Sequence, residues 1–144
     1  MTIKNQKGAA IVEFAIVLPL LILLVVGICE FGILWYNSQI IINASREGAR
    51  AGIERAADAS PTGITLIANI VDTYCANRLI NFGGGSGPFT SYPNGDDNMT
   101  KTFGQDFSVE VTYNYNFLVA SLFHLGLTKP IVGRTLMKME QIVP

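Results

Sequence analysis

One uninterrupted apolar segment constrains this chain more than any other feature of its sequence. From Ala9 to Cys29 it reads AAIVEFAIVLPLLILLVVGIC, and Glu13 is the only charged residue within it. As an α-helix, these residues would rise about 1.5 Å each and span about 31 Å, the thickness of the hydrocarbon core of a bilayer. The segment therefore predicts one membrane-spanning helix.

A cleaved secretory signal peptide is the alternative for an apolar segment so near the N-terminus. Its apolar region would be shorter, about 7–15 residues, and a cleavage site of small residues would follow it. Here the segment instead continues into Glu30-Phe31-Gly32-Ile33-Leu34-Trp35-Tyr36, without such a site. We expect the helix to be retained as an anchor.

The residues that flank the apolar segment predict its orientation. Lys4 and Lys7 are the only charged residues before it, and the positive-inside rule places such lysines in the cytoplasm. Trp35 and Tyr36 follow it, and their rings suit the membrane–water interface, although they could instead cap a buried helix. The sequence predicts a single-pass inner-membrane protein with a cytoplasmic N-terminus and an extracytoplasmic C-terminal domain.

The helical pattern continues beyond the membrane. Residues 37–57, NSQIIINASREGARAGIERAA, contain no proline and are rich in helix formers. We expect one continuous helix over 9–57, half in lipid and half in water, which ends at Asp58-Ala59-Ser60-Pro61.

A stripe of small residues recurs every four positions in the second half of this helix: Ala44, Gly48 and Gly52. Small residues at this spacing let another backbone approach closely. The stripe is predicted to pack either on this protein's own sheet or on a neighbouring subunit.

The remaining sequence predicts a small α+β unit. A second amphipathic helix is expected over 62–82, and the glycine-rich sequence that follows opens a loop over 83–105. Residues 107–117 alternate apolar and polar side chains with a strict period of two, which indicates a half-buried strand of an antiparallel sheet. Residues 131–139 are its expected partner.

The expected fold class is therefore α+β: a long N-terminal transmembrane helix continues outside the membrane and packs on a small antiparallel sheet with a second helix. Three segments follow from this reading. They are a cytoplasmic leader over 1–8, the extended helix over 9–57 and the exported α+β domain over 58–144.

No catalytic, cofactor or metal site is predicted. The lone histidine, His124, lies in an apolar stretch, and the two cysteines, Cys29 and Cys75, lie too far apart for a disulfide or a metal-ligand pair. The Asp96-Asp97 pair lacks the ligand spacing of a calcium loop. A net charge of −1 without a basic stripe argues against a nucleic-acid partner.

Glu13 is chemically unusual because a carboxylate inside an apolar segment is costly to bury. It could lie near the cytoplasmic face and reach the headgroups. Alternatively, cleavage after Gly8 would create an ammonium group at Ala9, which Glu13 of a neighbouring subunit could neutralise. Such a pair would couple cleavage to assembly.

The residues around Glu13 resemble a type IV prepilin processing site. Lys7-Gly8-Ala9-Ala10-Ile11-Val12-Glu13-Phe14 combines a basic leader, a glycine and a glutamate five residues later, and a glutamate followed by an aromatic residue is similar to Flp-type pilins. The wider pattern, with NASREGARAG after the apolar segment, resembles the TadE-like proteins of the tight-adherence (Tad) pilus system. This resemblance covers residues 7–53 well and 107–140 loosely.

The resemblance implies a pseudopilin-like protein of the bacterial inner membrane that supports Flp pilus assembly, adhesion and biofilm formation. Its implied partners are a prepilin peptidase that cleaves between Gly8 and Ala9, other pilin-like subunits and pilus assembly proteins. Glu13 and Phe14 would then pair subunits in the membrane. The alternatives are a binding domain that the helix merely tethers, and an enzyme, which would need a pocket gathering His124 with an acid or a nucleophile.

Overall fold

The computed structural model describes residues 4–54, 61–81, 87–91, 104–119 and 125–139. Five elements follow one another along the chain: α1 (Lys4–Glu54), α2 (Pro61–Ala76), β1 (Phe89–Ser91), β2 (Asp106–Asn116) and β3 (Thr128–Lys138). The predicted α+β class is confirmed, with one long apolar helix, a second helix and a three-stranded antiparallel sheet.

α1 is a single helix of 51 residues with Pro19 inside it. A proline in a membrane-spanning helix is tolerated because neighbouring groups and local adjustments satisfy the freed backbone carbonyl. The helix begins at Lys4, five residues before the predicted start, since no proline precedes Ala9 and the single Gly8 costs only about 1 kcal/mol in a helix. Its predicted end at Ala57 lies outside the described residues.

The two halves of α1 have opposite environments. From Gly8 to Cys29 no side chain is buried, and only Leu18 and Val26 are partly covered. From Glu30 onward the helix buries a face on the rest of the protein. Among the described residues, α1 is the one helix long and apolar enough, by length and composition, to cross a membrane.

α2 is shorter than predicted. Its apolar face buries Ile67, Val71 and Cys75 as the periodicity indicates. The predicted end near residue 82 is wrong, because the helix stops at Ala76 and the backbone N–H groups of Arg78 and Leu79 both bond to the Cys75 carbonyl oxygen. Residues 79–81 then have no regular secondary structure, and a side chain of α1 binds the backbone of Ile80, as described below.

The sheet has the strand order β1-β2-β3. β2 confirms the strand predicted over 107–117, one residue earlier at each end. Of the predicted apolar positions, Phe117 lies after the strand and is half-buried, and the polar Ser108 is buried as well. The other predicted apolar positions are buried: Phe107, Val109, Val111, Tyr113 and Tyr115. β3 confirms the partner strand but begins at Thr128, three residues earlier, because its pairing with β2 continues to Asn116.

β1 corrects the prediction of an uninterrupted loop over 83–105. Phe89, Thr90 and Ser91 pair with β2 at Thr112, Val111 and Glu110. A strand of three residues is too short for its alternation to be recognised in the sequence. Residues 83–86 and 92–103 of the predicted loop lie outside the described residues.

α1 lies along the buried face of the sheet, and their closest approach is at Gly133 of β3. A Cβ atom at Gly133 would lie 2.7 Å from the carbonyl oxygen of Ile41, so only glycine lets the strand reach the helix backbone. One layer of the fold is therefore the sheet, and the other is α1 with α2.

Candidate functional site

The residues of the predicted processing site lie at the exposed start of α1. Gly8 and Ala9 are both exposed, and a Cβ atom at Gly8 would meet nothing within 4 Å. A side chain at Gly8 would therefore not disturb the packing of the described part of the domain.

Glu13 and Phe14 are also exposed, and Phe14 presents its ring to the surroundings of the helix. Glu13 lies four residues after Ala9, so both side chains project from the same face of α1. Within the described residues, Glu13 makes no hydrogen bond or ion pair. Its surroundings are the exposed side chains of Ile11, Val12, Ile16 and Val17.

The small-residue stripe of α1 packs within this chain. Ala44, Gly48 and Gly52 are all buried. A Cβ atom at Gly48 would lie 2.9 Å from Cγ2 of Val71 and 3.4 Å from Cγ1 of Val109, and at Gly52 it would enter the ring of Phe107. The two glycines of the stripe therefore lie against the protein's own α2 and β2.

Asn37 is a site residue that the sequence did not indicate. Its side chain is fully buried in α1, and its amide binds the backbone of Ile80 twice. Nδ2 donates to the Ile80 carbonyl oxygen at 2.8 Å, and the Ile80 N–H donates to Oδ1 at 3.0 Å. The amide satisfies one backbone donor and one backbone acceptor of a segment that has no regular secondary structure of its own.

Glu30 is the second such residue. It follows the apolar segment directly, is only 9% exposed, and its Oε1 accepts a hydrogen bond from the backbone N–H of Leu118. Leu118 follows β2 and begins a helical turn, whose first N–H groups have no partner of their own. A carboxylate after a membrane segment usually suggests a solvated boundary, so the sequence gives no sign of this contact.

A third polar contact joins α1 to β3. The hydroxyl groups of Ser45 and Thr135 lie 2.7 Å apart, and Ser45 Oγ also donates to the Ile42 carbonyl oxygen at 2.8 Å. Together with Glu30 and Asn37, Ser45 ties one buried side of α1 to three different segments of the domain. These contacts fix the height of the domain along the helix.

The two cysteines are free, as predicted. Cys29 is exposed on α1, whereas Cys75 is buried in α2. Burial raises the pKa of the Cys75 thiol to about 11, and the negative charge of Asp72 adds to the effect, while Arg78 opposes it. A thiol of this kind is a poor nucleophile at neutral pH because the thiolate is the reactive form.

In the described segments, no three or more His, Cys, Asp or Glu residues lie together as metal ligands would. His124 and the Asp96-Asp97 pair lie outside these segments. The polar groups that the structure does bring together, Glu30, Asn37 and Ser45, all bind backbone or hydroxyl groups of the chain itself. Their arrangement serves to hold segments in place.

Comparison with known proteins finds a family match over the first third of the chain. The chain matches no curated protein and no solved structure. Residues 8–50, which comprise the exposed apolar half of α1 and most of its packed half, match the family model described as TadE-like protein. The predicted resemblance to the TadE-like proteins is thus confirmed over residues 8–50.

Proposed function

We propose that this chain is a pilin-like structural subunit of the Tad-type pilus assembly or secretion machinery, which supports adhesion and biofilm formation. The observation that carries the proposal is the division of α1 into an exposed apolar half and a half that the chain's own domain covers. An apolar surface of this size needs lipid or other helices around it. In such a subunit, lipid can cover the apolar half of α1 in the membrane, and the helices of neighbouring subunits can cover it after assembly.

The N-terminal residues would control this exchange. A prepilin peptidase would cleave between Gly8 and Ala9, remove Lys4 and Lys7, and leave an ammonium group at Ala9. Gly8 and Ala9 are exposed near the start of α1, so cleavage between them need not disturb the packing that begins at Glu30.

Glu13 would then pair with the Ala9 ammonium of a neighbouring subunit, with Phe14 packing beside the pair. Glu13 has no partner among the described residues of its own chain, and apolar side chains surround it. In such surroundings an unpaired carboxylate is costly, and removing one member of a buried pair costs roughly 3–5 kcal/mol. The pair would therefore set the register between subunits.

The membrane placement belongs to the same proposal. Lys4 and Lys7 favour a cytoplasmic N-terminus, so the folded domain would lie outside the inner membrane. The three segments would be a leader over 1–8, the extended helix over 9–57 and the exported domain over 58–144.

A complementation experiment tests the proposal. A strain that lacks this chain should lose its pili, and the wild-type chain should restore them. Glu13→Leu should insert normally, yet fail to restore pili, because each Ala9 ammonium loses its counter-charge. Pili are counted by electron microscopy, and membrane-extracted protein is measured for every variant.

Glu13→Asp and Val17→Leu complete the experiment. The aspartate variant retains the charge and should restore pili in part. Val17 lies one turn after Glu13 on the same exposed face, so Val17→Leu should restore pili fully. Wild-type numbers of pili from Glu13→Leu would contradict the pairing, and wild-type numbers from the strain without the chain would favour a tethered binding domain instead.

A further inference from the structure

We propose that the unpaired side of β3 is a docking site for an extended segment of another protein, in which carboxylate and apolar side chains alternate. β3 lies at the edge of the sheet: within the described residues, β2 pairs with one side of it and no strand pairs with the other. We call the unpaired side the open edge; it comprises Val132, Arg134, Leu136 and Lys138. The inference goes beyond the proposed function, since it requires neither cleavage nor a membrane.

The pairing of β3 with β2 shows which backbone groups face the open edge. In an antiparallel pair, alternate residues exchange both hydrogen bonds with the partner strand, and the residues between them point their N–H and C=O groups away from it. The Phe117 N–H donates to the Leu127 carbonyl oxygen at 3.4 Å, and the Met139 N–H donates to the Gln105 carbonyl oxygen at 3.0 Å. Both bonds continue the register of the two strands and join odd-numbered residues. The odd-numbered residues of β3 therefore bond to β2, and the even-numbered ones face the open edge.

Pro130 agrees with this assignment and limits the open edge. Proline has no N–H, so within sheets it occupies positions such as the outer side of an edge strand, where no ladder bond is lost. Pro130 is even-numbered, so an added strand finds no donor there. The four even-numbered residues that follow it in β3 all keep their N–H groups: Val132, Arg134, Leu136 and Lys138. The open edge is thus blocked at one end and available over the rest of the strand.

The side chains of the open edge are exposed on the face of the sheet that points away from α1. Gly133 lies against α1, and successive side chains of a strand point to opposite faces. Arg134 and Lys138 are exposed, and the two apolar side chains between and before them, Val132 and Leu136, are 50% and 53% exposed. An exposed edge strand with apolar side chains is a template for pairing with another chain.

Charge selects the kind of segment that fits. On this outer face, β2 places a carboxylate opposite each cation of the open edge: Asp106 opposite Lys138, and Glu110 opposite Arg134. Opposite charges on neighbouring strands are stabilising, and like charges directly opposite are destabilising. A strand that carries carboxylates would flank the cations of β3 with anions on both sides. It would therefore continue the alternation of charge from strand to strand.

A second copy of this chain fits the open edge poorly. β3 reads TKPIVGRTLMK, with three cations and no carboxylate. Two β3 strands side by side would bring these like charges together without a compensating anion. The occupant is therefore a different chain, whose apolar residues lie beside Val132 and Leu136. In this mode of recognition, backbone bonds to a sheet edge give affinity and alternate side chains give specificity.

Amide hydrogen exchange on the full chain in detergent, followed by NMR, tests the open edge itself. In the free chain, the even-numbered amides of residues 132–138 should exchange several-fold faster than the odd-numbered amides of residues 131–137, which bond to β2. The probe is a short synthetic peptide in which valine alternates with glutamate, and the control peptide has lysine in place of glutamate. Only the glutamate peptide should slow the even-numbered amides. Slow exchange of these amides in the free chain, or no change with the glutamate peptide, would overturn the proposal.

Two pairs of variants separate backbone pairing from charge. Leu136→Pro removes one donor of the open edge, whereas Leu136→Val keeps it, so the proline variant should bind the glutamate peptide about two- to tenfold more weakly than the valine variant. Arg134→Gln should weaken binding by up to about fivefold. Lys129→Gln also removes one exposed cation of β3, but from a residue that bonds to β2, and it should bind as the wild type does. Fluorescence anisotropy of the labelled peptide measures binding, and circular dichroism shows whether each variant is folded.

The remaining outcomes also decide. Should Leu136→Pro fail to fold, the comparison of Arg134→Gln with Lys129→Gln and that of the two peptides test the proposal without it. Equal affinity for the two peptides, or equal binding by Arg134→Gln and Lys129→Gln, would contradict an acidic partner. A wild-type dimer in sedimentation that Leu136→Pro, but not Leu136→Val, converts to a monomer would give the open edge to a second copy and overturn the proposal.

Discussion

At the scale of single residues, Gly52 shows how closely the sheet approaches the upper half of α1. A Cβ atom there would lie 2.6 Å from Cζ of Phe107, whose ring is itself buried. Gly52→Ala should therefore lower the free energy of unfolding by about 1–3 kcal/mol, because the ring must shift within a packed core. Thermal unfolding of the full chain in detergent, followed by circular dichroism, measures the change.

Gly27→Ala is the matched control for this prediction. Gly27 belongs to the same helix, but a Cβ atom there meets nothing within 4 Å. Alanine also has the higher helix propensity. We expect the control to unfold at the wild-type temperature or slightly above it, and an equal loss in both variants would show that the contact with Phe107 does not set the effect.

Cys75 gives a residue-scale prediction for alkaline pH. Its folded-state pKa is about 11 against an ordinary value of 9.0, because burial and Asp72 disfavour the thiolate. The folded state holds the thiol proton more tightly, so this contribution to stability is complete below pH 9 and is lost as the pH rises through 11. Unfolding temperatures at several values between pH 8 and pH 11 should fall less steeply for Cys75→Ala than for the wild type.

At the scale of elements, periodicity predicted the parts of the fold that bury one face repeatedly. The eleven alternating residues of β2 and the apolar face of α2 are of this kind. Burial recurs at every second residue of β2 and about once in every turn of α2. The end of α2 and the existence of β1 were not predictable in this way. α2 ends at Ala76, and four residues later Asn37 of α1 binds the backbone of Ile80. β1 is held in the sheet by its pairing with β2.

The Asn37 contact can be tested as the stop of α2. Asn37→Ala leaves the part-buried N–H and carbonyl of Ile80 without their partner, at a cost of up to about 1–3 kcal/mol for each group that water does not reach. Asn37→Asp should also destabilise, because a carboxylate oxygen would face the Ile80 carbonyl oxygen. Hydrogen exchange should report faster exchange of the Ile80 amide in Asn37→Ala, which loses the acceptor, than in Asn37→Asp, which keeps it.

Asn43→Ala provides the comparison for Asn37→Ala. Asn43 lies on the same helix, and its side chain accepts a single exposed bond from Arg46 at 3.3 Å. Loss of an exposed bond costs little, since water replaces it. If Asn43→Ala and Asn37→Ala destabilised the chain equally, the two hydrogen bonds between Asn37 and Ile80 would not be what ends α2.

At the scale of the whole molecule, the sequence predicted the anchor and the kind of domain, but not how the two are joined. The apolar segment is local, so its length alone indicates a membrane helix. Glu30, Asn37 and Ser45 acquire their roles only when distant segments fold against α1. In the sequence, these three residues resemble polar residues on the solvent side of an ordinary helix. A polar residue that binds distant backbone leaves no recognisable pattern among its sequence neighbours.

The orientation of the whole molecule is the last prediction. Two lysines precede the apolar segment, whereas Arg46 is the only Lys or Arg among residues 30–49 after it. Since the flank richer in Lys and Arg remains in the cytoplasm, the domain should be exported. Alkaline phosphatase fused after Pro144 should therefore be active, and green fluorescent protein at the same position should be dark if exported unfolded through the general secretion route. Lys4→Glu with Lys7→Glu should reduce the phosphatase activity, because the charge bias is then lost. Bright green fluorescence with inactive phosphatase in the wild-type chain would reverse the orientation, and the processing site, Glu13 and the domain would then all face the opposite compartments.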